Sequence, residues 1–360
     1  MTAIIRVMHE ELDNIQRMTL IDQSKMIKYI LDFPTQLRTI LDSSCRYKPF
    51  GVEGVCICGV GGSAIAGDIL CEYLSDVSTS PVFIIRSTRP PKWAREDTLV
   101  VVVSYSGDTI ETLSLFEEAV RRGCRVVCIT SNGKLMERCL SLDIQHLSLP
   151  KNIMPRAALG YILGAIAIIL DREGIAPLVS ELRAKSAVLE SYVKACSPEI
   201  PLSSNEAKKL AKRLYGRVPV IYAPRNLRAV AARWQSQINE NAKMLSFCGE
   251  IPEMNHNQIV GWLEGQYVTE CLPVFLRGFP TDSVLANITD VTARMFERKN
   301  LNAVTVDIPG KDALDCILRG IVLGDFVSYY LAMLKGIDPT PVNSISGLKS
   351  DLLSAMMRDK

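Results

Sequence analysis

Four short runs of Val, Ile and Cys set the tightest limit on what this chain can fold into. They are GVCICGV (54–60), PVFIIRS (81–87), TLVVVVSYS (98–106) and RVVCITS (125–131). Each is bounded by Gly, Pro or Ser, with helix-length segments between them. A strand with one face in water alternates apolar and polar residues, whereas an unbroken apolar run needs cover on both faces. Such runs alternating with helices predict a parallel sheet held between helical layers.

A second set repeats the pattern: VPVIYAP (218–224), CLPVFLRGF (271–279) and NAVTVDIPG (302–310), with helices expected over 226–244, 282–298 and 312–335. The expected class is therefore α/β, with two doubly wound parallel-sheet domains flanked by helices. At 360 residues the chain is long enough for two cores. Pro and Ser cluster in ACSPEIPLSSN (195–205), which puts the join there and the domains at 1–195 and 196–360. The segment before the first sheet reads as helices.

Composition narrows the function classes. The net charge is +2 with no basic block, so there is no electrostatic case for nucleic acid. Eleven cysteines, most inside apolar runs and none at CxxC spacing, point to a reducing, cytoplasmic setting without a disulfide framework. Only three histidines are present, at 9, 146 and 256, and no Cys/His spacing suggests a metal. The longest apolar run, ALGYILGAIAIIL (158–170), is 13 residues, which is short for a bilayer and reads as a buried helix. No membrane partner is expected.

Two strand–loop–helix segments carry the chemistry of the first half. In VVVVSYSGDTIETLSLF the hydroxyls of Ser104, Ser106 and Thr109 can donate hydrogen bonds, Gly107 permits close backbone approach, and a helix N-terminus follows. That set suits a phosphate monoester, although Ser and Thr also cap ordinary helices. Three hydroxyls at a strand's carboxyl end favour the ligand, because open α/β sheets bind there. In CICGVGGSAIAGDIL, Gly61 and Gly62 allow tight approach and Ser63 opens a helix. As a dinucleotide fingerprint it lacks the third glycine, having Ala64 there. The next strand ends Arg86-Ser87-Thr88-Arg89 without a ribose-binding acid, which leaves an NADP-dependent oxidoreductase as an alternative.

In the second half, QINENAKMLSFCGEIPEMNHNQIVGW places Glu240 between two asparagines and His256 between two more. A helical Glu is commonly solvated and a lone loop His commonly sits at the surface. Taken in order, GVGGSAIAGD, SYSGDTIET, MPRAALGY, QINENAK, NHNQIVGW and PVNSISGLK resemble the bifunctional phosphoglucose/phosphomannose isomerases, two-domain members of the sugar isomerase (SIS) fold. The resemblance runs from about residue 50 to the C-terminus. SYSGxT alone marks any SIS domain, including non-catalytic sugar-phosphate binders; NENAK with NHN is the more specific pair.

The resemblance implies a cofactor-free isomerase acting on fructose 6-phosphate, glucose 6-phosphate and mannose 6-phosphate. It implies that Ser63, Ser104, Ser106 and Thr109 hold the phosphate, and that Arg156 lies near the reacting carbons. Glu240 would move the proton between C1 and C2, and His256, from the partner subunit of a homodimer, would open the ring with help from Lys349. Carboxylate and imidazole are the acid–base types such a reaction needs, and the flanking asparagines can hydrogen-bond without adding charge. Three positions depart from the family pattern: Asp108 for Asn, Gln258 for Glu, and Val60 for Met. A carboxylate at 108 would repel a phosphate unless it turns away to cap the helix. His9 and His146 are expected to be surface or structural.

Overall fold

The computed structural model describes residues 11–44, 47–265 and 270–358; His9 lies outside them. The first sheet contains β1 (Gly54–Cys58), β2 (Val82–Ile85), β3 (Thr98–Val103), β4 (Arg125–Thr130) and β5 (His146–Ser148), in the order β2-β1-β3-β4-β5. The second contains β6 (Val218–Pro224), β7 (Phe247–Ile251), β8 (Cys271–Arg277) and β9 (Val304–Asp307), in the order β7-β6-β8-β9. Every pairing in both sheets is parallel. The unbroken apolar runs behave as their composition requires: β1 and β3 are buried at every residue.

Two strands fall outside the apolar runs, and both lie at sheet edges. β5 is three residues long, and β7 (FCGEI) is mostly exposed or half-buried, so neither has an apolar run to announce it. His146 starts β5, and its ring lies 3.3 Å from the Ile144 carbonyl oxygen.

The order β2-β1-β3-β4 sends the chain left after β1 and right after β3, so the crevice between their carboxyl ends is a topological switch point. The loops at 59–64 and 104–109 emerge there. The second sheet repeats this arrangement between β6 and β8. The helix Leu159–Arg172 is apolar nearly all round and buried accordingly. Ala313–Lys335 is long and apolar enough to cross a membrane, but it is enclosed in the core, where the helix Arg228–Ala242 packs against it. The Trp234 indole N–H donates to the Gly320 carbonyl at 2.7 Å and pins these two helices together.

Candidate active site

The two loops of the first switch point are fastened to each other. Ser63, closing the short turn Gly61–Ser63, accepts a hydrogen bond at Oγ from the Tyr105 amide at 3.2 Å. Ser104 Oγ accepts from the Gly107 amide at 3.2 Å, and its hydroxyl donates to Thr109 Oγ1 at 3.3 Å. Ser106 Oγ accepts from the Asp108 amide at 3.4 Å. Gly107 has φ +76°, and a Cβ there would fall 1.8 Å from the Asn132 carbonyl oxygen. Its missing side chain thus makes room for the neighbouring loop.

Asp108 is turned toward a neighbour. Its Oδ1 accepts from the Lys134 amide at 3.0 Å, at the start of the helix Gly133–Ser141. The cap expected of this carboxylate exists, but on the adjacent helix rather than its own. Thr109, the residue before the helix Ile110–Arg121, makes no side-chain cap bond, so that helix's first N–H groups have no side-chain acceptor at the N-cap.

Arg156 joins the first half to the second. A Cβ on Gly62 would fall 2.8 Å from the Arg156 amide nitrogen, so the glycine loop lies directly on the MPRAALGY segment. The Arg156 side chain is 5% exposed and Glu240 25%, and Arg156 Nη1 lies 3.4 Å from Glu240 Oε2. Arg156 Nε donates to Asn241 Oδ1 at 2.9 Å, and Nη2 to the Thr340 and Pro339 carbonyls at 2.7 and 3.1 Å. Burial pulls the guanidinium's pKa down, and the charge of Glu240 works against that pull. A cavity of about 530 Å³ is lined by Gly61, Gly62, Arg86, Arg156, Arg228 and Glu240, among others.

The asparagines around Glu240 stake the end of its helix. Asn241 Nδ2 donates to Ser328 Oγ at 2.9 Å, while Asn239 Oδ1 accepts from the Ser246 amide at 3.0 Å. Below them Arg233 forks onto Asp325 at 2.9 and 2.7 Å and donates to the Arg156 carbonyl at 2.9 Å. Both ends of Arg156 are therefore held, the backbone by Arg233 and the side chain by Asn241.

The opposite cavity wall holds residues that the sequence reading missed. Glu72 accepts from Arg228 Nε at 2.7 Å and from the Ala229 amide at 2.8 Å. Burial raises its carboxyl to about 7 against those two bonds. Asp68 pairs with Arg86 beside it. The available signal was a pair of acids, Asp68 and Glu72, inside the otherwise apolar IAGDILCEYL.

Neither His256 nor Lys349 reaches this cavity in the single chain. His256 closes the turn Glu253–His256 and is exposed. Its neighbours fix the turn: Asn255 bonds Thr292, and Asn257 Oδ1 caps the next helix at the Gln258 amide, 2.6 Å away. Gln258 Oε1 accepts from the Tyr222 hydroxyl at 2.7 Å, which anchors that helix to β6. Lys349 is exposed on the terminal helix Asn343–Arg358. Among the described residues no group of three His, Cys, Asp or Glu side chains could hold a metal ion.

A family described as the bacterial phospho-glucose isomerase C-terminal SIS domain matches residues 203–352. A bifunctional phosphoglucose/phosphomannose isomerase of Aquifex aeolicus is 33% identical over 303 residues, covering 83% of this chain and 90% of the relative. The enzyme of the same name from Caldicellulosiruptor bescii is 31% identical, covering 91% and 98%. A D-glucosamine-6-phosphate 4-epimerase of Sulfolobus acidocaldarius is 30% identical, covering 78% and 83%. Among solved structures, a glucose-6-phosphate isomerase like protein from Thermus thermophilus superposes with a TM-score of 0.61 at 22% identity, covering 91% and 94%.

Proposed function

The chain belongs to the bifunctional phosphoglucose/phosphomannose isomerase family, and on that premise we propose how its residues divide the reaction. It interconverts fructose 6-phosphate with glucose 6-phosphate and mannose 6-phosphate. The proton transfer between C1 and C2 runs through an enediolate. Glu240 removes the proton from one carbon and returns it to the other. Arg156 supplies positive charge near the oxygens on which negative charge develops. Ser63, Ser104, Ser106 and Thr109 hold the phosphate, helped by the uncapped start of the helix Ile110–Arg121. Forming both aldoses requires the proton to return to either face of C2, which rotation about the C2–C3 bond of the intermediate permits.

The observation that carries this reading is the Arg156–Glu240 contact at 3.4 Å, beside the cavity bordered by the glycine loop. A buried cation against a half-buried carboxylate, with room for a six-carbon sugar, suits enediolate chemistry. Two further parts are proposed with it. The chain divides near residue 195, and two copies pair so that His256 of one opens the ring in the cavity of the other. The exposure of His256, together with the apolar stripe Ile345, Leu348 and Leu352 left in water on the terminal helix, supports pairing. Lys349 lies between those residues and assists ring opening once the helix is docked. A cytoplasmic setting fits the eleven cysteines without CxxC spacing.

The test is proton NMR of fructose 6-phosphate in D2O. Wild-type protein should yield both aldose phosphates with deuterium incorporated, and Glu240→Gln should be slower by about 10³-fold. An unchanged rate in the variant would remove Glu240 as the base. Binding without turnover would point to a non-catalytic sugar-phosphate protein, and a C4-inverted product to the epimerase relative. A fluorescence response to NADPH would favour an oxidoreductase. Mixing Glu240→Gln with His256→Ala should restore activity through heterodimers; verified heterodimers without activity would refute the shared site.

A further inference from the structure

One residue of the QINENAK segment has no role in the scheme above, and its backbone is unusual. Lys243 follows the helix Arg228–Ala242 with φ +48° and ψ +44°, the left-handed conformation. At this position after a helix Gly or Asn is the ordinary choice, since a side chain crowds the following carbonyl. Lys tolerates that strain poorly, so its side chain needs a reason to be there.

The side chain gives one. Lys243 Nζ donates to the carbonyls of Pro339 at 2.8 Å, Asp338 at 3.1 Å and Asn241 at 3.3 Å. Arg156 Nη2 donates to the same Pro339 carbonyl at 3.1 Å and to Thr340 at 2.7 Å. Two cations therefore grip one turn from two sides, and one of them is the guanidinium 3.4 Å from Glu240. The Lys243 carbonyl is itself held by Lys335 Nζ at 2.8 Å. Beyond Thr340 the chain enters the terminal helix that bears Lys349.

We infer that Lys243 is a positioning residue of the isomerase site. Its ammonium fixes the 338–340 turn, and the turn's carbonyls in their turn hold the Arg156 guanidinium against Glu240 and seat the root of the terminal helix. The inference rests on the isomerase reading and adds a residue to it. The ammonium is pulled down to about 8, first by burial and then by the Arg156 charge; Asp338 and Glu240 oppose the shift, and Lys335 reinforces it. As pH rises through that value the group loses one donor, and the turn is gripped less firmly.

Lys243→Gly separates position from folding, because glycine accepts the left-handed backbone without strain. Its melting temperature should equal or exceed that of the wild type. Its kcat on fructose 6-phosphate should nevertheless fall about 10- to 100-fold, as expected when a catalytic group is misplaced by about an ångström. Lys243→Arg keeps the donors and should recover most of kcat, while moving the alkaline limb near pH 8 upward. Wild-type kcat in Lys243→Gly overturns the inference, as does a loss of kcat matched by a loss of melting temperature. If the wild type proves not to isomerise, the functional reading fails separately. Amide hydrogen exchange over 338–342 then decides whether the ammonium holds the turn, and unchanged protection in Lys243→Gly refutes it.

Discussion

The two switch points of this molecule share a topology and differ in what occupies them. After β3 the loop carries small residues and hydroxyls, and the helix Ile110–Arg121 starts without a side-chain cap. After β8 the helix Ser283–Arg298 starts with Asp282, whose Oδ1 accepts from the Val284 and Leu285 amides at 2.7 and 3.2 Å. Beside it Arg277 is claimed by Asp307 at 2.7 Å and by Asp290 at 3.0 Å. The second crevice is roomy, about 490 Å³ against about 530 Å³ for the Glu240 cavity. The first thus offers an uncapped helix start, and the second a capped one beside an arginine already paired with two carboxylates. Topology makes two equivalent sockets, the first few side chains of each helix make them differ, and on the proposed reading the first takes the phosphate.

The largest effect that would sharpen this contrast is steric. Gly107→Ala puts a Cβ 1.8 Å from a backbone oxygen at positive φ. It should destabilise the protein by about 3 kcal/mol or more, since neither partner can swing aside. The second loop's Gly278 has no positive φ, and its added Cβ would meet a side-chain atom, Cys316 Sγ, at 2.2 Å. Gly278→Ala should therefore cost less in the same denaturant titration. A larger loss at 278 would break the comparison.

A smaller effect crosses between the halves. The helix Arg228–Ala242, which follows β6, is capped from outside by Glu72 at the Ala229 amide. The folded pKa of Glu72, about 7, stands above its ordinary 4.5, so the folded state takes up the proton first. The stability this contributes is full below the ordinary value and is lost as pH rises through about 7. Relative to Glu72→Gln, the wild type should lose on the order of 1–2 kcal/mol between about pH 5 and pH 8. A difference that does not vary with pH would show that the clasp does not titrate.

How legible was this molecule in its sequence? The central strands were, because unbroken Val/Ile/Cys runs have one stable use, and β1, β3 and β4 lie where those runs predict. The edge strands β5 and β7 were not, since β5 is only three residues long and β7 is mostly exposed or half-buried, so neither carries an apolar run, unlike the edge strands β2 and β9. Three hydroxyls and a glycine mark the proposed phosphate loop in the sequence by residue type alone. The proximity of Arg156 and Glu240, 84 positions apart, is a tertiary fact that spacing alone does not encode. Asp108 needed a partner outside its own helix, which a local cap argument misses. Lys243 was overlooked because a left-handed backbone is invisible in a string of letters; the available hint was a Lys where a helix end ordinarily takes Gly.

The most direct test of the account is the KM for fructose 6-phosphate in two variants measured side by side. Ser104→Ala/Thr109→Ala strips donors from the first switch point, and Asp282→Ala removes the cap at the second. The first should raise KM by about 10- to 100-fold, the worth of lost hydrogen bonds to a charged group. The second should leave KM nearly unchanged while lowering stability by about 1 kcal/mol. Equal rises in both, or a rise confined to Asp282→Ala, would contradict the assignment of the phosphate to the first sheet.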